Sequence, residues 1–327
     1  MSALVPSVSV IIPTYNRASL VDRCLTSLHA AGIDDLEVIV VDDGGTDDTA
    51  RVVEGRGIYV RQSNAGPAKA RNLGFETSRG RFVGFIDSDD EWINRAAVRL
   101  RDELQTHPDI DVLFADSLMG NADDGYVSFV EEYGGGVFLS LPHTMRDGHV
   151  RLFHREPFFR QLSTRNVMFL GSMLIRRESF DRVGRFDPAL RGAADWDFFM
   201  RAAASGTVAF SHGPAMSRYY KHDEGMSTNE DHMLEEFILA LDSVRRRAPL
   251  TASLRAHVDE RIRAQVFGWS WRAYEAGDMA TARERLRWAG RLGASGVREK
   301  AYMASTYLPS VLRNSIRRAR RLASAES

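Results

Sequence analysis

Three short apolar runs constrain this chain more than any other feature. VSVIIP (8–13), LEVIVV (36–41) and RFVGFI (81–86) are β-branched and nearly continuous rather than alternating. Strands covered by helices on both faces read this way, whereas strands with one wet face alternate. Between the first two runs, RASLVDRCLTSLHAAG puts Leu20, Cys24, Leu25 and Leu28 on one helical face, and Gly32 follows as a stop. A second helical stretch, DDTARVVEG, follows the second run. Strand, helix, strand, helix predicts an α/β fold with a parallel sheet and right-handed crossovers.

The bulk properties narrow the partners. At 327 residues, 44% of them hydrophobic, the chain can bury the core of one large domain with an extension, or of two domains. Its 43 basic and 44 acidic residues nearly cancel, so no nucleic acid or strongly charged partner is expected. The single cysteine, Cys24, excludes an internal disulfide framework and fits a reducing compartment. Its apolar neighbours at helical spacing mark it as a core residue rather than a nucleophile. The stretch MSALVPSVSVIIPTYNR has neither a basic start nor a small-residue cleavage site. No run reaches the roughly 18 apolar residues of a membrane-spanning helix. A cytoplasmic protein is expected, free or peripheral at the inner face of the membrane.

Beyond the third run the pattern loosens. GNADDG and YGGG make residues 119–166 turn-rich, which predicts loops and short strands over the sheet. FLGSMLIRRESFDRVGRFD (169–187) regains strand and helix character. From about residue 229 Pro and Gly thin out and Arg, Ala, Leu and Glu dominate with helical periodicity, so a boundary is placed near 228 with a helical extension over 229–327. Within it, YEAGDMATARERLRWAG reads as one helical hairpin of a tetratricopeptide type.

In parallel α/β sheets, ligands bind beyond the carboxyl ends of the strands. The polar residues gather there: PTYNR after the first run, DDGGTDDT after the second, DSDDEW after the third. The carboxylates of Asp87, Asp89 and Asp90 raise one another's pKa unless a cation sits among them, and hard oxygen ligands suit Mg2+ or Mn2+. A solvated acidic turn, with an Asp capping a helix from Trp92, is the alternative. In NAGPAKARNLG (64–74), Lys69 and Arg71 join the same edge, and Arg pairs well with phosphate oxygens.

SVIIPTYNR, VVDDGGTDDT, NAGPAKARNLG and FIDSDDEW, in this order and spacing, resemble the family 2 inverting glycosyltransferases of the GT-A fold. The resemblance implies a Rossmann-like mixed or parallel sheet sandwiched by helices. It covers residues 1–228, a nucleotide-sugar half (1–115) and an acceptor half (116–228), and leaves out the helical extension. It implies an Asp-x-Asp motif in which Asp87 contacts the donor and Asp89 the metal, Mn2+ or Mg2+. It also implies a donor pocket of Pro13, Thr14, Tyr15, Asn64, Arg71, Ser88 and one of Asp42 and Asp43. The activity implied is metal-dependent transfer of a sugar from a nucleotide diphosphate, most commonly UDP, to a hydroxyl of a glycan or lipid-linked glycan.

Inverting transfer needs a carboxylate opposite the diphosphate to take the acceptor's proton. RGAADWDFFMRAAASG resembles the family's Glu-Asp region, which makes Asp195 the base, with Ala194 standing where the family has Glu. Asp197 is a competing base or a helix-starting acid, and Trp196 is an acceptor platform or a core residue. YYKHDEGMST (219–228) resembles a Tyr-Arg-x-His segment with Lys221 in place of Arg, which implies His222 as a metal or diphosphate contact. Asp90 is left to the turn or to a helix cap. At the other end, Leu308, Val311, Leu312, Ile316, Ala319, Leu322 and Ala323 share one face opposite Arg313, Arg317, Arg320 and Arg321. Such a 308–323 helix either packs on the domain or lies on an anionic membrane. Two other classes compete: a non-catalytic nucleotide-sugar or glycan-binding domain, and a nucleotidyltransferase, whose Gly-rich basic loop PTYNR lacks.

Overall fold

The computed structural model describes residues 5–121, 123, 125–220, 230–293 and 296–308. The three apolar runs are strands: β1 (Val8–Thr14), β2 (Leu36–Asp42) and, after β3 (Ile58–Arg61), β4 (Phe82–Phe85). Helices α1 (Ala18–His29), α2 (Thr49–Val53) and α3 (Pro67–Thr77) connect them. All pairings among β3, β2, β1 and β4 are parallel, and Thr14 of β1 lies in register with Asp42 of β2. The carboxyl ends of these strands therefore open on one edge.

Past β4 the chain departs from the parallel expectation. In order come β5 (Glu91–Trp92), α4 (Ala96–Thr106), β6 (Val112–Phe114), β7 (Ser117–Asn121), β8 (Gly125–Ser128), α5 (Phe129–Ser140), β9 (His143–Arg146), β10 (Val150–Phe153) and α6 (Arg155–Leu162). Then follow β11 (Met173–Arg176), α7 (Arg177–Val183), α8 (Ala194–Ser205), β12 (Val208–Ser211) and β13 (Ser217–Tyr220). Nine strands make one sheet in the order β3-β2-β1-β4-β11-β6-β12-β10-β9, and β5-β13-β7-β8 make a second. β11 runs antiparallel to both β4 and β6, so the sheet is mixed. Residues 119–166 are more regular than their turn-rich sequence suggests: Ser128 caps α5 by accepting the Glu131 N–H at 3.0 Å, and Gly135 absorbs a kink at φ 55°.

Side chains alternate across β1 into two cores. Ile11 faces one, with Phe85, Phe114 and Phe198; Val10 and Ile12 face the other, with Cys24, Leu100 and Leu174. Cys24 is fully buried there, as its helical spacing predicts. The extension is α9 (Glu230–Arg247), α10 (Ala252–Glu275), α11 (Met279–Arg291) and α12 (Val297–Ser305). α10 and α11 form the expected hairpin, turned by Gly277 at φ 85° and capped by Asp278, which accepts the Thr281 N–H at 3.0 Å. Phe237, Ile238 and Leu241 of α9 and Val266 of α10 share one core with Ile11 and Phe198, so the extension is continuous with the sheet domain in packing. The boundary near 228 falls outside the described residues. Among the described residues no helix is long and apolar enough to cross a membrane.

Helix α3 packs closely on β1. A Cβ on Gly74 would stand 2.3 Å from Ile11 Cγ2, so a side chain there must push α3 off the sheet. Gly74→Ala is expected to destabilise the protein by about 1–3 kcal/mol. Gly290→Ala on α11, where a Cβ meets nothing within 4 Å, should instead stabilise it by about 0.5–1 kcal/mol. Urea denaturation midpoints check both, and a shift of the same sign for the two variants would refute the packing argument.

Candidate active site

The three strand-end loops are stitched to one another. Asn16, in the left-handed region at φ 53°, accepts the Thr46 N–H at 2.7 Å, and Asp47 accepts the Ala18 N–H at 2.7 Å. Asp42 accepts the Gly45 N–H at 2.7 Å and the Tyr59 hydroxyl at 2.6 Å. Burial and the bond to Asp42 push the Tyr59 hydroxyl up to about 12. Asp43 accepts the Gln62 side chain at 2.7 Å and the backbone N–H groups of Ala65 and Gly66 at 2.8 Å each. Gly44 lies at φ 86°, and a Cβ there would stand 2.9 Å from Asn64 N, so the acidic loop and the start of NAGPAKARNLG touch backbone to backbone. Asp42 and Asp43 are both buried and shape the floor of the edge.

Pro13 and Thr14 end β1 in that floor, with Thr14 Oγ1 buried and without a hydrogen-bond partner among the described residues. Tyr15, next along, is 49% exposed, an aromatic face beside the acidic loop. Asn64 is exposed beside the acidic loop and Ser88 is buried in the third loop.

At the end of β4 the acids are held apart by different partners. Arg71 of α3, 8% exposed, donates to Asp87 Oδ1 at 2.5 Å. Arg17 donates to Asp89 Oδ2 at 2.6 Å, and Arg23 to the Asp89 carbonyl at 2.6 Å. Asp90 neither faces solvent nor caps a helix: α4 starts only at Ala96, and Asp90 is 1% exposed. Its Oδ1 accepts the Tyr220 N–H at 3.3 Å, and its Oδ2 is buried without a hydrogen-bond donor among the described residues. Burial first, then Asp87 and Asp89, push its pKa well above the usual carboxylate range. Arg17 and Arg23 thus contact the acidic turn although the sequence reading did not single them out, and Asp90, which it left to the turn or a helix cap, is a buried acid of that turn. Arg17 was within reach, since it closes the quoted PTYNR.

Three carboxylates in one turn, one with an orphaned oxygen, suit a hard cation in charge and ligand type. Among the described residues no three acidic, histidine or cysteine side chains converge on one point. His222 and Lys221 lie outside the described residues, as does the 308–323 segment beyond Leu308.

Asp195 enters from the other half of the molecule. It sits in the first turn of α8, where the helix dipole favours a carboxylate, and its Oδ1 accepts the Trp196 N–H at 2.8 Å. Burial raises its pKa, Arg71 pulls it back down, and Asp87 adds a smaller upward push. The same guanidinium therefore acts on Asp87 and Asp195, which joins α8 to the strand-end site. The two neighbouring residues both have partners inside the fold. Trp196 stacks on Phe237 with ring centroids 4.0 Å apart and donates its indole N–H to the Leu162 carbonyl at 2.7 Å, so it is engaged inside the fold. Asp197 is fully buried, and Arg201 donates to its Oδ2 at 2.9 and 2.7 Å: an internal ion pair.

Residues 9–184 match the family described as glycosyl transferase family 2. Among curated proteins, the chain is 28% identical over 206 residues to the uncharacterized glycosyltransferase EpsJ of Bacillus subtilis, covering 61% of this chain and 56% of that one. It is 34% identical over 141 residues to the glycosyltransferase GlyA of Streptococcus pneumoniae, covering 41% and 19%. The chain thus spans about half the length of the first relative and far less of the second. Among solved structures, S. aureus TarS 1-349 in complex with UDP-GlcNAc superposes with a TM-score of 0.60 at 22% identity, covering 91% of this chain and 84% of that one. The mannosyltransferase PcManGT of Pyrobaculum calidifontis in complex with GDP-Man and Mn2+ gives 0.55 at 18% identity, covering 92% and 79%. These likenesses assign the GT-A fold, and with more than half of its length matching the family, the chain belongs to glycosyl transferase family 2.

Proposed function

We propose that this chain is an inverting glycosyltransferase that moves a sugar from a nucleotide diphosphate, UDP foremost, to a hydroxyl of a glycan or lipid-linked glycan. The observation that carries the reading is that Arg71, which donates to Asp87 at the end of β4 at 2.5 Å, also lowers the pKa of Asp195 at the head of α8. On this reading residues 1–115 bind the donor, 116–228 the acceptor, and 229–327 form the extension. Tyr15 stacks on the base, Asp42 or Asp43 with Pro13, Thr14 and Asn64 lines the base and ribose pocket, and Asp87 with Ser88 orients the donor sugar. Asp89 would hold Mn2+ or Mg2+ together with the diphosphate, after Arg17 yields its carboxylate. When bound, such an ion supplies charge neutralisation for the departing diphosphate. Asp195 takes the acceptor's proton as the hydroxyl attacks from the face opposite the diphosphate. The cytoplasm, or the inner face of a membrane through the 308–323 segment, is the proposed location.

A base must be ionised, and burial raises the pKa of Asp195. Turnover should therefore fall as pH drops through a value above the ordinary Asp range. Asp195→Asn should lose about 10²–10⁴-fold in kcat, as removal of a general base does. UDP binding followed by thermal shift should stay unchanged in that variant, and a parallel loss of UDP binding would count against Asp195 as base.

The donor half makes its own prediction. In a thermal-shift panel of UDP, UDP-N-acetylglucosamine, UDP-glucose and GDP-mannose with and without Mn2+, one nucleotide should stabilise the protein only with metal. Saturation at about 100 times Kd corresponds to roughly 2.7 kcal/mol. Asp89→Asn should abolish the metal-dependent part, and stabilisation that is the same with and without Mn2+ would refute the role given to Asp89.

A further inference from the structure

Residues 184–193 run from α7 into α8 and deliver Asp195, and they are held from two sides. From α3, Asn72 donates its Nδ2 to the Phe186 carbonyl at 2.9 Å and accepts the Phe186 N–H on Oδ1 at 3.0 Å. From α9, three side chains reach the same segment and a fourth reaches α8 just beyond it. Arg247 donates to Asp187 Oδ2 at 3.2 Å and to the Arg185 carbonyl at 3.0 Å, and Ser243 donates to Asp187 Oδ2 at 3.3 Å. Phe237 stacks on Trp196, the residue next to Asp195. Glu236, only 4% exposed, accepts the Gly192 N–H on Oε2 at 2.8 Å.

The last contact has the most leverage on Asp195. A carboxylate that accepts a backbone N–H makes a charge-assisted bond, roughly twice as strong as a neutral one. Gly192 stands two residues before the start of α8, so its anchored N–H sets where the helix begins. The Asp195 carboxyl is oriented by the first turn of that helix, through the Trp196 N–H. The fit is close, since a Cβ on Gly192 would stand 3.1 Å from Met233 Sδ and 3.4 Å from Glu236 Cγ. Gly192, Asp195 and Glu236 all lie beyond the 9–184 segment that matches the family.

We propose that Glu236 is a positioning residue for Asp195, so that the first helix of the extension belongs to the catalytic apparatus. The inference rests on Asp195 as the base. A displacement of about 1 Å at a reacting group can cost on the order of 10²-fold in rate, which is the size of effect to seek.

The test compares the wild type with Glu236→Leu, Glu236→Gln, Gly192→Ala and Asp195→Asn in the full chain. Donor hydrolysis is read with the fastest of UDP-glucose, UDP-galactose, UDP-N-acetylglucosamine and GDP-mannose, and hydrogen exchange is followed over residues 185–196. Glu236→Leu should lower kcat about 10- to 100-fold while donor KM stays within about threefold, the pattern of lost transition-state positioning. It should also speed exchange over 185–196 and leave β1 and β2 unchanged. Glu236→Gln, whose amide oxygen still accepts the Gly192 N–H, should restore both readouts to near wild type.

Gly192→Ala disturbs the same contact without touching Glu236, and should repeat the kcat loss if Glu236→Leu does not fold. Unchanged kcat and exchange in Glu236→Leu, or in Gly192→Ala when the former is unfolded, would overturn the proposal. Equal damage in Glu236→Gln and Glu236→Leu would do the same. If no donor turns over, exchange over 185–196 decides. If Asp195→Asn keeps wild-type turnover while Glu236→Leu loses it, the base assignment fails rather than the clamp on the loop.

Discussion

The carboxylates of Asp87, Asp89 and Asp90 share one turn at the end of β4, and like charges so close are unstable unless something opposes them. Each draws its partner from a different part of the chain: Arg71 from α3, Arg17 from the loop after β1, and the backbone N–H of Tyr220 from β13. Satisfying the acids therefore assembles the site. The helix that carries Arg71 must lie close on the sheet, which Gly74 against Ile11 permits. The second sheet must bring β13 alongside β5, which it does by antiparallel pairing of Ser217 with Trp92 and Arg218 with Glu91. Above this, Arg23 stacks on Tyr220 at 4.3 Å and pairs with Glu91 at 2.9 Å, so the turn is also braced from α1.

The parallel half of this arrangement was legible in the sequence because its information is local. Continuous β-branched runs mark buried strands, and the polar stretch after each run marks the edge at which the strands end. Asp87, Asp89 and Arg71 were legible for the same reason. The antiparallel entry of β11 and the second sheet were not, since strands of two to five residues paired across some hundred positions leave no periodicity to read. Asp90 was legible as part of the turn, which its N–H closes onto the Asp87 carbonyl at 3.0 Å, but not as a buried acid, because its carboxylate turns inward to a residue 130 positions away. Trp196 and Asp197 sit in a motif-like stretch, yet nothing local in it announces their partners inside the fold, Phe237 and Arg201.

The composition shift near residue 229 marks a helical extension, and its first helix packs into the core of the sheet domain. Phe237, Ile238, Leu241 and Val244 of α9 lie in the same core as Phe198 and Phe199 of α8. A helix that buries its apolar face against α8 cannot leave without exposing that core, and hydrophobic burial is the main term holding such layers together. Arg247 adds a polar tie, bonded to Asp187 and 3.7 Å from the buried Asp197. Composition reports what a segment is made of, and here it says little about what the segment packs against.

The same packing gives Ala194 a physical setting. It is 4% exposed at the first position of α8, in the core that includes Phe198 and Phe237. A carboxylate in that place would be desolvated, and it would add like charge beside Asp195, whose pKa burial and Asp87 already raise. Arg71 is the cation that lowers the Asp195 pKa most, and it is shared with Asp87. With Ala at 194, one guanidinium faces two carboxylates rather than three, and Asp195 is easier to keep ionised. Ala at 194 thus agrees with the electrostatics of this chain: no acid stands where a third negative charge would be hard to hold.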